Sequence, residues 1–300
     1  MSIAIPTYRR EQVLIDTLES VFALCPPADE ILVLDQTEAH SAPVESALKE
    51  LARSGRIRHL RLSSPSIPAA MNAALKAAAG DVVLFLDDDV LAEPRLTSAH
   101  LSAHRENGAA VVAGRVIQPW QEGLDFSKEI KFHFAGIKSA WIQEFMGGNF
   151  SIRRETALKL GGFDENFVGA AYHFEAEFAF RLRRAGLTIY YEPEACIHHR
   201  KVSSGGTRTF GEHLRTAAPA HSVGAYYFVL RTWRCEGSTR ALLFRPICAI
   251  ATRHHLRRPW FIPLTVLAEL RGLFWALALA CRGPRYGFPV DPGLQTCTQC

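Results

Sequence analysis

The sequence lacks any uncharged stretch as long as the ~20 residues that a membrane-spanning helix needs. Its most apolar segment, residues 260–281, is interrupted by Pro263, Glu269 and Arg271. A basic region of the kind that opens a secretory signal peptide is also missing, because Met1 leads directly into an apolar strand. We therefore expect no signal peptide. For the apolar segment, contact with a membrane surface and ordinary packing on the rest of the chain both fit better than a span.

Glycine fingerprints and paired cysteines are missing as well. No G-x-G-x-x-G occurs, so a dinucleotide-binding fold of the dehydrogenase type lacks its usual signature. Seven cysteines are scattered along the chain, which favours a reduced compartment over a framework of disulfides. Cys297 and Cys300 have C-x-x-C spacing, but no second pair or nearby histidine completes a zinc site.

Acidic residues are scarce in the last third of the chain. Residues 201–300 contain 13 Lys and Arg against 4 Asp and Glu, whereas residues 1–200 contain 21 against 26. The basic residues of the last third are interleaved with large apolar blocks. This pattern favours an anionic membrane surface over nucleic acid as the partner of this region.

The most informative stretch runs from Gly80 to Pro94. Five apolar residues, 82–86, lead directly into Asp87, Asp88 and Asp89. A continuous apolar run is typical of a strand buried on both faces of a sheet. Three adjacent carboxylates after such a strand repel one another unless a cation lies among them, and their hard oxygens suit Mg²⁺ or Mn²⁺. The alternative is a plain acidic turn.

The first 90 residues alternate strand and helix patterns, which predicts an α/β fold with a doubly wound, mostly parallel sheet. Right-handed crossovers bring the carboxyl ends of the strands to one edge. Pro6, Asp35 and the three aspartates should therefore meet there, at the edge where ligands bind in open α/β sheets.

Several motifs occur in an order that resembles inverting family-2 glycosyltransferases with the GT-A fold. They are IPTYRR, ILVLDQT, IPAAMNAAL, LFLDDD, GGNFSIRRE, GGFDENF, FEAEFAFRLRRAG and IHH. The resemblance covers about residues 2–200. It predicts a catalytic domain over residues 1–205 and a basic, apolar, partly amphipathic helical extension over residues 206–300.

The resemblance implies a nucleotide-sugar donor and a divalent cation, Mn²⁺ or Mg²⁺. It assigns nucleotide contacts to Pro6, Thr7, Tyr8, Arg10, Asp35, Asn72 and Asp88. It assigns the metal to Asp89, Asp87 and His198, and the acceptor side to Gly147, Gly148 and Asn149. Alternatives stay open: Asp35 also suits a turn and Asn72 a solvent-facing helix position. Neighbouring side chains alternate on an extended backbone, so only one of His198 and His199 can face the site; we choose His198.

Glu175 is the predicted catalytic base. In the family, an Asp of a Glu-Asp pair usually opens the helix that ends in RLxxxG, and here the aligned pair is Phe174 and Glu175. The carboxylate is thus one methylene longer, and its acidic neighbour is missing. Glu177 lies about 200° further around the helix, so it cannot share the face of Glu175.

The expected function is metal-dependent, inverting transfer of a sugar, with UDP as the favoured nucleotide, to a hydroxyl of a saccharide or lipid-linked acceptor in cell-surface glycan synthesis. We expect a cytoplasmic location with peripheral contact at the inner face of the plasma membrane through residues 253–282. Two rivals remain. A sugar-phosphate nucleotidyltransferase would usually carry a glycine-rich loop after its first strand, which IPTYRR lacks, and a non-catalytic carbohydrate-binding or scaffold protein would explain the eroded acid pair.

Overall fold

The structure, a computed structural model, describes residues 1–128, 131–236 and 239–295. Cys297 and Cys300 lie outside the described residues. The first half of the chain alternates strands and helices as the sequence predicts: β1 (Ser2–Thr7), α1 (Gln12–Phe22), β2 (Glu30–Asp35), α2 (Ala42–Arg53), β3 (Arg58–Arg61), α3 (Ile67–Ala77) and β4 (Val82–Leu86).

The second half mixes short and long elements. They are β5 (Val90–Ala92), α4 (Leu96–Asn107), β6 (Val111–Ile117), β7 (Ala140–Ile142), β8 (Asn149–Arg153), α5 (Arg154–Lys159), α6 (Phe174–Arg184) and β9 (Ile189–His199). The last part is helical: α7 (Val223–Glu236), α8 (Thr239–Ile250), α9 (Arg253–Arg257), α10 (Ile262–Arg282) and α11 (Pro292–Gln295).

The strands form one sheet in the order β3-β2-β1-β4-β8-β6-β9-β5, with β7 paired to β9. Strands β1 to β4 are parallel to one another, and the antiparallel pairs all involve β5, β7 or β8. The predicted α/β, doubly wound sheet is confirmed.

Side-chain alternation along β1 and β4 buries both faces of the sheet. Ala4 and Phe85 belong to the hydrophobic core on one face, whereas Ile3, Ile5 and Leu84 belong to the core on the other. This two-sided burial explains why these strands are apolar throughout, without the polar alternation of a strand that has one face in water. The polar residues of these strands therefore lie at or just beyond the strand ends.

The carboxyl ends of β1, β2 and β4 lie at the same edge of the sheet. Thr7 pairs with Asp35 at the end of the β1–β2 register, and β4 ends at Leu86, directly before the three aspartates. The predicted convergence of these strand ends is confirmed, because parallel register brings equivalent ends together.

Strand β9 is longer than the sequence indicates. The two short strand patterns around 187–191 and 195–199 join into one element, and its pairing with β6 shifts register between Gly114 and Arg115. The short strand β5, which follows the aspartates, pairs antiparallel with the end of β9 and matches Val90 with His199. This pairing brings the histidine pair to the edge that carries the acidic residues.

The helical extension packs into the same core as the sheet. Val223, Tyr226 and Tyr227 of α7 are fully buried there, together with Ala276 of α10. The Tyr227 hydroxyl also donates a hydrogen bond of 2.7 Å to Asp164. Helices α7 and α10 therefore share one hydrophobic core with the sheet.

Helix α10 buries one face and exposes the other. The buried face includes Ala268, Gly272 and Ala276, and a Cβ on Gly272 would lie only 2.1 Å from the Ser222 hydroxyl, so the backbones approach closely. The exposed side carries Leu264, Leu267, Leu270, Phe274, Trp275 and Leu277. Within the described residues, one helical segment, Pro259–Arg282, is long and apolar enough to cross a membrane by length and composition, with a third of its most apolar window buried.

Candidate active site

A cleft of about 350 Å³ opens at the edge where the parallel strands end. Its walls include the loop after β1, the aspartates after β4, the glycine turn before β8, the start of α6 and the loop after β9. The lining residues include Pro6, Thr7, Tyr8, Arg10, Asp87, Asp88, Asp89, Gly147, Gly148, Glu175 and His199. The fold therefore gathers sequence-distant polar groups into one cavity.

Asp87, Asp89 and His199 form a cluster suited to a metal ion. Their ligand atoms all lie within 4.8 Å of one another. The His199 Nε2 atom is 3.3 Å from Asp89 Oδ1 and 3.5 Å from Asp87 Oδ2. Two carboxylates and one imidazole are a donor set that Mn²⁺ accepts readily, and Mg²⁺ accepts the carboxylates. The residues present thus fit a divalent cation.

The choice of His198 as the metal ligand is corrected by the structure. His198 lies on the opposite side of β9, with its ring nitrogens 2.8 Å from Glu122 and 3.1 Å from Glu93. The argument that only one of two adjacent strand residues can face the site holds, but the residue that does so is His199. The pairing of β9 with β5 determines which of the two histidines faces the site, because it places Val90 opposite His199.

Arg10 neutralises part of the acidic cluster. Its buried guanidinium donates to Asp88 Oδ1 at 2.9 Å and to Asp89 Oδ2 at 3.0 Å. Burial nevertheless raises the pKa of Asp88 to about 6; Asp89 and Asp87 add to this rise and Arg10 opposes it. Arg10 and Asp88 both line the cleft, as the sequence predicts, but in this structure they bind each other.

The basic loop after β9 folds over the same cluster. The Val202 amide donates to Asp89 Oδ2 at 3.1 Å, and an Arg208 nitrogen lies 3.7 Å from the same oxygen. The Gly206 amide donates to the Tyr8 carbonyl at 2.8 Å, which ties this loop to the loop after β1. Arg208 thereby adds positive charge beside the carboxylate of Asp89.

Glu175 lies in the first turn of α6 and lines the cleft. Burial raises the pKa of its carboxyl to about 8; Asp87 and Glu144 add to this rise, and hydrogen bonds from the Glu175 and Gly147 amides oppose it. A carboxylate with a pKa near neutrality is suited to proton transfer. Glu177, two residues on, faces the core and pairs with Arg181 at 2.9 Å.

The glycine pair allows the backbone to approach both acids closely. A Cβ on Gly147 would lie 2.6 Å from Glu175 Oε1, and a Cβ on Gly148 would lie 2.5 Å from Asp87 Oδ2. Real side chains do not tolerate such distances, so only glycine fits at these positions without displacing the carboxylates. The two glycines thus leave room for Glu175 and for Asp87 of the acidic cluster.

Three predicted site residues have structural roles outside the cleft. Asn72 in α3 accepts from the Phe163 amide at 2.8 Å and donates to the Phe163 carbonyl at 2.9 Å, which fixes the turn at 161–165. Asn149 is fully buried in β8 and donates to the carbonyls of Arg115 and Ala195. The protein itself uses these amides for hydrogen bonds within the fold, and neither residue lines the cleft; the nucleotide and acceptor contacts assigned to them stay predictions.

Asp35 is the third. Its buried carboxylate contacts His59 at 2.8 Å, Arg61 at 2.6 Å and His40 at 3.0 Å, and it also accepts from the Thr37 amide. Burial alone would raise its pKa, but the hydrogen bonds from His59, the Thr37 amide and Arg61 outweigh burial and hold the pKa well below the usual value. The adjacent Gln36 lines the cleft in its place.

Several cleft residues were not predicted from the sequence. His199 is the most important of them. Because neighbouring side chains on a strand face opposite sides, the sequence had limited the metal-binding histidine to His198 or His199. Tyr172 and His173 lie in the loop before α6, where His173 has a left-handed φ of 68°. They also line a second cavity of about 510 Å³ between α7, α8 and α10, so the two cavities share a wall.

Comparison with known proteins supports the same family. The family model "Glycosyl transferase family 2" matches residues 2–176. The chain is 25% identical over 217 residues to a glucosyl-dolichyl phosphate glucuronosyltransferase of Haloferax volcanii, covering 67% of this chain and 69% of that one. It is 28% identical over 209 residues to the succinoglycan biosynthesis protein ExoM of Rhizobium meliloti, covering 66% of each.

Solved structures show the same fold. A mannosyltransferase from Pyrobaculum calidifontis, in complex with GDP-Man and Mn²⁺, matches with a TM-score of 0.57 at 20% identity, over 94% of this chain and 78% of that one. Residues 1–349 of S. aureus TarS, in complex with UDP-GlcNAc, match with a TM-score of 0.55 at 15% identity, over 91% and 72%. These likenesses confirm the GT-A fold. The family match covers more than half of the chain, and the chain therefore belongs to glycosyl transferase family 2 and is a glycosyltransferase.

Proposed function

We propose that this glycosyltransferase transfers a sugar from a nucleotide-sugar donor, with inversion, to a hydroxyl of a saccharide or lipid-linked acceptor. UDP is the nucleotide we favour. The observation that carries the proposal is the single cleft that holds both the Asp87–Asp89–His199 cluster and Glu175. The Asp87–Asp89–His199 cluster suits a diphosphate and its cation, and Glu175 suits an acceptor hydroxyl.

The donor fits the side of the cleft formed by the loop after β1. Tyr8 offers a ring for stacking against a base, and Gln36 and Ser66 offer polar groups on the same wall. Mn²⁺ or Mg²⁺ would be held by Asp87, Asp89 and His199, and when bound it neutralises diphosphate oxygens. Arg208 supplies a fixed positive charge beside Asp89.

Glu175 acts on the acceptor. In a direct displacement, the acceptor oxygen forms a bond to the anomeric carbon while the bond from that carbon to the diphosphate breaks. The nucleoside diphosphate leaves with the electron pair, and Glu175 takes the acceptor proton. The raised pKa favours this proton uptake once the carboxylate is ionised.

The second cavity supports a lipid-linked acceptor. It shares Tyr172 and His173 with the cleft and is lined by His213, His221 and Arg245, which can donate to a phosphate, and by Glu269, which pairs with Arg245. It lies between the cleft and helix α10, whose outer face is apolar. An acceptor with a phosphate and a lipid chain would thus have its sugar in the cleft, its phosphate at the histidines and its chain toward α10.

The apolar face of α10 supports peripheral contact with the cytoplasmic surface of a membrane. Arg253, Arg257 and Arg258 are exposed immediately before it, as in helices that lie on anionic bilayers. The opposite face of α10 packs on α7, and Glu269 on that face pairs with Arg245 at 3.1 Å. A helix anchored in this way along its length suits the membrane surface better than the bilayer centre.

The test is sugar transfer measured with Mn²⁺ across a panel of nucleotide sugars. Glu175→Gln should lower the transfer rate by at least about 100-fold while donor binding, measured by calorimetry, stays unchanged. Glu144→Gln is the matched control, because it removes the same charge from a neighbouring exposed position.

Two results would contradict the proposal. Full transfer by the Glu175→Gln variant would remove Glu175 from the mechanism. Release of pyrophosphate from a nucleoside triphosphate and a sugar phosphate would favour a nucleotidyltransferase instead.

A further inference from the structure

A second group of metal-ligating side chains lies on the other side of β9 from the catalytic cluster. Cys196 and His198 are two residues apart on this strand, so their side chains share a face. Glu93 follows β5 and is held against them, because its amide donates to the Cys196 carbonyl at 3.1 Å. The sulfur, imidazole and carboxylate ligand atoms lie within 4.8 Å of one another.

His198 has the hydrogen-bond pattern of a metal-bound histidine. Its Nδ1 atom is 2.8 Å from Glu122 Oε1, and its Nε2 atom faces Glu93 at 3.1 Å. Histidines that bind a metal through one nitrogen usually donate from the other nitrogen to a carboxylate. With Nδ1 donating to Glu122, a metal bound between Nε2 and the Glu93 carboxylate would replace the 3.1 Å contact that these two groups make.

The donor set identifies the class of metal. A thiolate, an imidazole and a carboxylate together suit Zn²⁺, whereas Mg²⁺ and Ca²⁺ prefer oxygen ligands alone. Cys196 is only 2% exposed, while the side chains of His198 and Glu93 are 32% and 47% exposed. The group is thus closed on the sulfur side and open to solvent on the other, so that water could supply a fourth ligand to a bound metal.

We propose that Cys196, His198 and Glu93 form a Zn²⁺ site, with Glu122 orienting His198. This site is separate from the cluster of Asp87, Asp89 and His199. The proposal does not depend on the identity of the donor or acceptor, because none of its four residues lines the cleft.

A metal at this position would join three segments: the end of β5, the end of β9 and the turn that carries Glu122. Next to that turn, Lys201 lies 3.9 Å above the ring of Trp120. The bound metal would therefore hold the stretch of β9 that carries His199. Because Zn²⁺ would bind the folded state alone, saturating metal should raise the melting temperature.

Cobalt substitution tests the site directly, since Co²⁺ bound to a thiolate gives charge-transfer absorption in the near ultraviolet. The reference protein carries Ser in place of the six other cysteines, so that any such band must come from Cys196. We expect one Co²⁺ per chain with this thiolate band, displaced by Zn²⁺; Co²⁺ bound at Asp87, Asp89 and His199 has no thiolate ligand and gives no such band. Glu122→Gln should lower the affinity by about 10- to 100-fold.

Two variants complete the design. His198→Ala should abolish tetrahedral Co²⁺ binding, and His199→Ala, the matched neighbour, should retain the band. Far-ultraviolet circular dichroism checks that each variant is folded. The absence of a band in the folded reference protein, or equal bands in the His198→Ala and reference proteins, would overturn the proposal.

Discussion

Gly147 lies against the carboxylate of Glu175, and Gly148 lies against the carboxylate of Asp87. A Cβ would lie 2.6 Å from Glu175 if it were added to Gly147, and 2.5 Å from Asp87 if it were added to Gly148, so the turn has no room for a side chain. The resemblance to the family assigns this turn to the acceptor side, and the structure places it in the cleft beside both Glu175 and Asp87.

Gly148→Ala should displace Asp87 and lower kcat/KM for transfer by about 10- to 100-fold, because small misplacements of reacting groups are costly. Gly55→Ala serves as the control. Gly55 has a positive φ of 73° but open space around it, so this variant should lose about 1 kcal/mol of stability and keep its activity. Wild-type kcat/KM in Gly148→Ala would show that the turn does not position Asp87.

The pH dependence of transfer should follow Glu175. A base must be ionised to accept a proton, and burial raises its pKa to about 8. The kcat/KM for the donor should therefore rise as the pH increases through neutrality and level off above about 8. A profile measured at fixed free Mn²⁺ that falls over this range would contradict the assignment of Glu175 as the base.

At the scale of elements, β9 decides which histidine serves the active site. The local sequence shows only that His198 and His199 face opposite sides. Which side faces the aspartates depends on the pairing with β5, a three-residue strand that composition does not reveal. The pairing register of two strands that are distant in sequence thus determines which histidine faces the aspartates, a choice that the local strand pattern leaves open.

The two histidines should differ in Mn²⁺ binding. His199→Ala removes one of three candidate ligands. It should weaken Mn²⁺ binding by at least about tenfold, because mutation of a residue that only orients a metal ligand already lowers metal affinity by that much. His198→Ala should leave Mn²⁺ affinity unchanged. Electron paramagnetic resonance of free Mn²⁺ in titrations of both variants measures this, and the reverse order would restore the original choice of His198.

The sequence predicted the strand-end acids, the glycine turn and Glu175 because each depends on local pattern. Asp35, Asn72 and Asn149 have structural roles that the sequence did not reveal, because their partners are distant in the chain. Asn72 binds Phe163 across 91 positions, and Asp35 is held by Arg61 across 26. A polar residue at the right place in a motif looks the same in the sequence whether it binds a ligand or forms hydrogen bonds with buried backbone groups.

At the scale of the whole molecule, the extension is both part of the core and a candidate docking face. Tyr226 and Tyr227 are buried in the hydrophobic core, while the outer side of α10 leaves Phe274 68% and Trp275 41% exposed. The sequence predicted the apolar, basic character of this region. It did not reveal that α7 completes the hydrophobic core, because that depends on packing between distant segments.

Replacement of Phe274 and Trp275 by Ser should weaken binding to vesicles that contain anionic lipid, because less apolar surface enters the bilayer. Cosedimentation with phosphatidylglycerol vesicles measures this. The matched control replaces Trp120 and Leu124, which are 60% and 58% exposed but lie outside the helical extension. Equal vesicle binding by both double variants would exclude α10 as the contact surface.

The central claim is that the carboxylates after β4 and His199 hold a divalent cation against the diphosphate of a nucleotide sugar. Crystals grown with UDP and Mn²⁺, measured at the manganese absorption edge, test this most directly. The account predicts one anomalous peak in contact with Asp87, Asp89, His199 and the diphosphate. A diphosphate bound elsewhere, with no manganese peak at these residues, would contradict it.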